Sequence, residues 1–70
     1  SMKSRWSFIG LVFKGSIDSN DALLALTPKI GDTYVVGTAG EFAGETCEVG
    51  DTLVCTAAKN GDTAATWIVV

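Results

Sequence analysis

The residues of this 70-residue chain that could carry chemistry are two cysteines and eight carboxylates, with no histidine. Lacking histidine, the chain has neither the commonest general base nor the commonest metal ligand. A tetrahedral zinc site needs four ligands, and the cysteines supply only half of them. Glu41, Glu45 and Glu48 come nearest to the carboxylate pair of a glycosidase. Their setting, a short stretch broken by glycine, is that of solvated turn charges. No glycine-rich loop opens a helix to cradle a phosphate, because the Gly-Asp-Thr segments precede strand-like runs. These features predict that the chain is not an enzyme, with no catalytic residues, no cofactor and no resident metal.

Cys47 and Cys55 bracket a seven-residue stretch containing Gly50-Asp51-Thr52. A hairpin loop at those three residues would set the cysteines opposite one another, within bridging reach. Both are also in phase with Val49 and Leu53, which predicts two small unpaired core residues instead. Asp32, Asp51 and Asp62 each follow a glycine. Three such turns could converge on calcium, which takes six to eight oxygens. The simpler expectation is that Gly31, Asp32, Gly50, Asp51, Gly61 and Asp62 form turns, glycine supplying a positive φ and the carboxylate bonding the backbone just beyond it. Trp6, Tyr34 and Trp67 are candidates for stacking on a glycan, each ring offering an apolar face and a polar tip.

Charge and size bound the partners. The net charge is −3, and Lys3, Arg5, Lys14, Lys29 and Lys59 are scattered. A nucleic-acid binder needs clustered basic residues to displace counterions, so nucleic acid is not an expected partner. Apolar residues make up 47% and charged residues 19%, which excludes a disordered tail. No apolar run approaches the ~20 residues of a membrane-spanning helix, and membrane insertion is not expected. Ser1-Met2 reads as a tag remnant, and Val70 falls inside an apolar run, which suggests a piece of a longer protein. Residues 1–70 form one domain, small enough to need oligomerisation for a stability margin.

Eight glycines separate short runs rich in Val, Ile, Thr and aromatics, the pattern of strands joined by turns. The runs are Trp6–Phe13, Thr33–Val36, Glu41–Val49 (broken by Gly44), Thr52–Thr56 and Thr66–Val70. In the first, Trp6 and Phe8 share one face while Ile9, Leu11 and Phe13 share the other. A strand apolar on both faces needs cover on both, so these five residues are the candidate oligomer interface. Ser19 can cap a following turn, Ala22–Leu26 favours helix, and Thr27-Pro28 ends it. An internal echo, Ile30-Gly31-Asp32-Thr33-Tyr34-Val35 and Val49-Gly50-Asp51-Thr52-Leu53-Val54, predicts two similar corners, each starting a strand. A weaker third copy stands at Gly61-Asp62-Thr63. The expected fold is all-β: five or six short strands in a small barrel or sandwich, with one short helix near residues 20–26.

From Phe13 onward the motifs follow a recognisable order: Phe13-Lys14-Gly15-Ser16-Ile17, then Asp21-Ala22-Leu23, then Lys29-Ile30-Gly31-Asp32-Thr33-Tyr34-Val35-Val36. Gly40-Glu41-Phe42-Ala43-Gly44, Cys47–Cys55 and Trp67-Ile68-Val69-Val70 complete it. This order resembles the short β modules of tailed-bacteriophage fibre proteins, in head fibres and tail fibres alike. The resemblance implies a virion structural protein, usually homotrimeric, assembled in the bacterial host cytoplasm. Such a module either attaches to other virion proteins or presents a host-binding tip, and the family has no active site to carry over. Two functions are therefore expected to compete: a fibre assembly module, and a carbohydrate-binding module for host cell-surface glycan.

Overall fold

The computed structural model describes residues 10–70. Six strands and one helix follow in chain order: β1 (Val12–Ile17), α1 (Asn20–Leu24), β2 (Asp32–Val36), β3 (Gly40–Phe42), β4 (Glu45–Cys47), β5 (Thr52–Ala57) and β6 (Thr66–Val69). The fold is mainly β with one short helix, as the residue pattern predicts. A four-stranded sheet has the order β1-β2-β5-β6, and β3 and β4 form a separate hairpin. Only β1 and β2 run parallel; the other pairs are antiparallel.

The first strand begins at Val12, where the apolar run is ending, and continues through Gly15 to Ile17. Its ladder to β2 sets this range, and a bulge between Phe13 and Gly15 accommodates Lys14. Ser19 caps α1 as expected, accepting a hydrogen bond from the Ala22 N–H at 3.1 Å. The helix stops at Leu24, short of Thr27-Pro28, with Ala25 as its C-cap. So short a helix persists only through packing, and Leu23 supplies it by lying buried in the core. The Glu41–Val49 run is a hairpin rather than one strand, reversing at Ala43-Gly44. Val49 lies beyond it and is 65% exposed, not the core member that its phase suggests.

The echo is structural, and its two copies are paired with each other. In the first, the Asp32 N–H donates to the Lys29 carbonyl while the Asp32 carboxylate accepts from the Lys29 N–H at 3.0 Å. In the second, Asp51 does the same to Glu48, its carboxylate accepting at 2.8 Å. Gly31 and Gly50 occupy the third turn position at φ +94° and +95°, the left-handed geometry of a type II turn. The carboxylates thus reach back to the start of the turn rather than forward, because the strand's own ladder claims the amides ahead. β2 and β5 then run antiparallel, and the Gly31 N–H donates to the Cys55 carbonyl as the Gly50 N–H donates to that of Val36. Each turn closes the far end of the other strand, a local two-fold relation. The third copy folds differently. Asn60 and Thr63 exchange main-chain hydrogen bonds across Gly61-Asp62, with Gly61 at φ +58° in the first central position of a tight hairpin turn.

One face of the four-stranded sheet meets the core. Ile17, Val36 and Leu53 pack there with Leu23 of α1 and with Phe42 and Cys47 of the hairpin. Leu26, Tyr34, Trp67 and Val69 flank them. Two polar contacts hold the covering layer in place: the Ala43 N–H donates to Asn20 Oδ1, and the Thr38 hydroxyl to Asp18 Oδ1, both at 2.9 Å.

Candidate assembly face

Because side chains alternate along a strand, the cross-strand pairings fix what the other face of the sheet carries. Phe13, Thr33, Val54 and Ile68 form one row across β1, β2, β5 and β6. Ser16, Val35 and Thr52 begin a second row, which Val70 completes by exchanging main-chain hydrogen bonds with Thr52. Neither row contains a charged residue. One row hydroxyl is tied back, Thr33 donating to the Gly31 carbonyl at 2.9 Å, and beside the rows Thr56 and Thr66 share a 2.8 Å hydrogen bond.

No described element lies over this face. Phe13 is 67% exposed, Ile68 50% and Val70 73%, while Val35 and Val54 are half-buried by their neighbours within the sheet. Contiguous apolar exposure on a small domain marks an interaction surface. Of the five residues that the sequence singles out for an interface, Leu11 and Phe13 are exposed, and Phe13 heads the first row. Trp6, Phe8 and Ile9 lie outside the described residues. Val35, Val54, Ile68 and Val70 are members that strand periodicity alone does not identify.

The remaining candidates are dispersed. Tyr34 and Trp67 touch each other edge to face, with ring centroids 5.9 Å apart and planes at 69°, and both are half-buried against the core. They therefore do not form a coplanar platform, and Trp6 lies outside the described residues. Each lines a different shallow depression: Trp67 one of about 300 Å³ with Leu23, Leu24 and Ala43, and Tyr34 one of about 390 Å³ with Val12, Pro28 and Asp32. Asp32 and Asp51 spend their carboxylates on their own turns.

Cys47 and Cys55 do not face each other across a hairpin. Cys47 pairs with Gly40 in the small hairpin and Cys55 with Trp67 in the larger sheet, because β5 is drawn to β2 and β6 instead of β4. Both are free and buried. Burial pushes both thiols up from their ordinary value; Asp51 and Glu45 add to this at Cys47, while the Ala57 main chain opposes it at Cys55. Such thiols are poor nucleophiles and pack as small hydrophobes.

No protein-family model, curated protein or solved structure matches the chain. The open, uncharged sheet face is accordingly the feature on which a functional reading stands.

Proposed function

We propose that this chain is a non-catalytic assembly module that associates with copies of itself through the open face of its four-stranded sheet. The observation that carries the reading is the pair of charge-free rows headed by Phe13 and Ser16. Covering them removes apolar surface from water at about 25 cal/mol per Å². A closed rotational assembly does so without running on into a filament. The resemblance of the motif order to phage fibre modules supplies the setting: a virion fibre protein, three copies around an axis, attached to the particle or presenting a tip to the host. The edge-to-face, half-buried arrangement of Tyr34 and Trp67 gives the glycan-binding alternative less support.

The test is solution mass. Phe13→Asp places a charge on an exposed position of the face, so the fold should survive while the assembly should not. The expected result is an oligomer for the wild type and a smaller species with unchanged circular dichroism for the variant. A wild-type chain that stays monomeric at high concentration with a cooperative melt would overturn the reading.

A further inference from the structure

The two edges of the four-stranded sheet are not alike. β1 carries Lys14 at a bulge followed by Gly15 at φ +137°, and bulges and lysines are devices that blunt an edge against pairing. β6 has none of these: Thr66-Trp67-Ile68-Val69-Val70 contains no charge, glycine or proline. Its ladder to β5 does contain an irregularity, but the extra residue is Thr56 on the β5 side. β6 is the bare edge.

Its unused main-chain groups can be named. Thr52 and Val70 exchange both N–H···O bonds, at 3.2 and 2.7 Å, so Val70 and, two residues on, Ile68 turn their N–H and carbonyl groups toward β5. Trp67 and Val69 turn theirs outward, where no described strand receives them. Unpaired strand groups of this kind are a template for another strand.

We infer that β6 pairs with the β6 of a second copy, antiparallel across a two-fold axis beside Ile68; this rests on the self-association reading above. The match is self-complementary. Trp67 of one copy opposes Val69 of the other, which satisfies both N–H groups and both carbonyls on each side. Ile68 then meets its counterpart on the open face, close enough for cross-strand contact. In a chain of net charge −3, an uncharged strand lets a second copy approach without setting like charges opposite one another. The two four-stranded sheets become one, and their open faces join into a single apolar surface continuous with the interface already proposed.

Val69→Pro tests this, because the one main-chain donor it removes is not used by the chain's own sheet, its ring replaces an apolar side chain that flanks the core, and proline is tolerated on an edge strand. The assembled mass should fall by a factor of two, from a dimer to single chains or, where three such dimers close around the threefold axis, from a hexamer to a trimer. In the wild type, hydrogen exchange at the Trp67 and Val69 amides should slow as concentration rises, while Ile68 is protected throughout. A variant that keeps the full mass, or Trp67 and Val69 amides that exchange freely in the assembled protein, would overturn the edge pairing and leave association through the face intact. Should the variant fail to fold, the wild-type exchange pattern decides. A wild-type chain that never associates would overturn both.

Discussion

Gly31 and Gly50 hold the same place in the repeated turn, at nearly the same φ, yet their surroundings differ. A Cβ on Gly31 would land on the Gly10 carbonyl, whereas a Cβ on Gly50 would meet open space. Gly50→Ala should therefore cost only the left-handed strain of about 1–2 kcal/mol. Gly31→Ala adds a backbone collision and should cost at least twice as much, read as the difference in urea midpoints; equal losses would show that the collision relaxes freely. The thiols give a second residue-scale expectation. Cys47 and Cys55 are held above their ordinary value of 9.0. As pH rises through that value the unfolded chain loses thiol protons that the folded chain keeps, so stability contributed at lower pH is progressively lost. Unfolding free energy should decline as pH rises through that value, and the Cys47→Ala and Cys55→Ala pair should remove most of that decline. A slope unchanged in the double variant would assign it to other groups.

At the scale of elements, the β3–β4 turn is under local strain. Ala43 sits at φ +51° and Gly44 at +83°, the paired positive values of a type I′ turn, which favours Asn-Gly or Gly-Gly over Ala-Gly. The hydrogen bond from the Ala43 N–H to Asn20 Oδ1 helps hold it. Ala43→Asn keeps that N–H and relieves the strain, so it should raise stability by about 1 kcal/mol, seen as a higher melting temperature. A lower melting temperature would mean that the alanine methyl makes packing contacts outweighing the strain. The hairpin also shows what the sequence made legible. Gly44 announced a break in the Glu41–Val49 run, and Ser19 with Ala22–Leu26 announced α1, because turn and cap chemistry is local. The partner of each strand was not legible. Cys47 and Cys55 were positioned for a hairpin by spacing, but β5 pairs with β2 through the repeated turns, a contact no local pattern encodes. For the same reason the type of Phe13 singles it out as a candidate for an interface, whereas Val35, Val54 and Ile68, which share its exposed face, are not singled out. Alternation shows that two faces exist; only the strand order shows which one the helix and hairpin cover.

At the scale of the whole molecule, the described residues keep charge off the two rows of the open face. The exposed acids Asp18, Asp21, Glu41, Glu45, Glu48 and Asp62 all lie outside its two rows, as do Lys14, Lys29 and Lys59. The contact proposed between copies is thus apolar, while net charge of one sign repels them at longer range. These terms respond oppositely to salt. Raising ionic strength from about 0.01 M to about 0.1 M shortens the Debye length from about 30 to about 10 Å and screens the repulsion, while leaving apolar burial nearly unchanged. Self-association should therefore strengthen with added sodium chloride, and sedimentation equilibrium at several salt concentrations would show it as a rising association constant. Sulfate should strengthen it further, because an ion excluded from protein surface favours burial. An interface built from ion pairs would do the reverse and weaken with salt. A falling association constant would move the contact away from the face headed by Phe13 and toward the lysines and acids elsewhere on the surface.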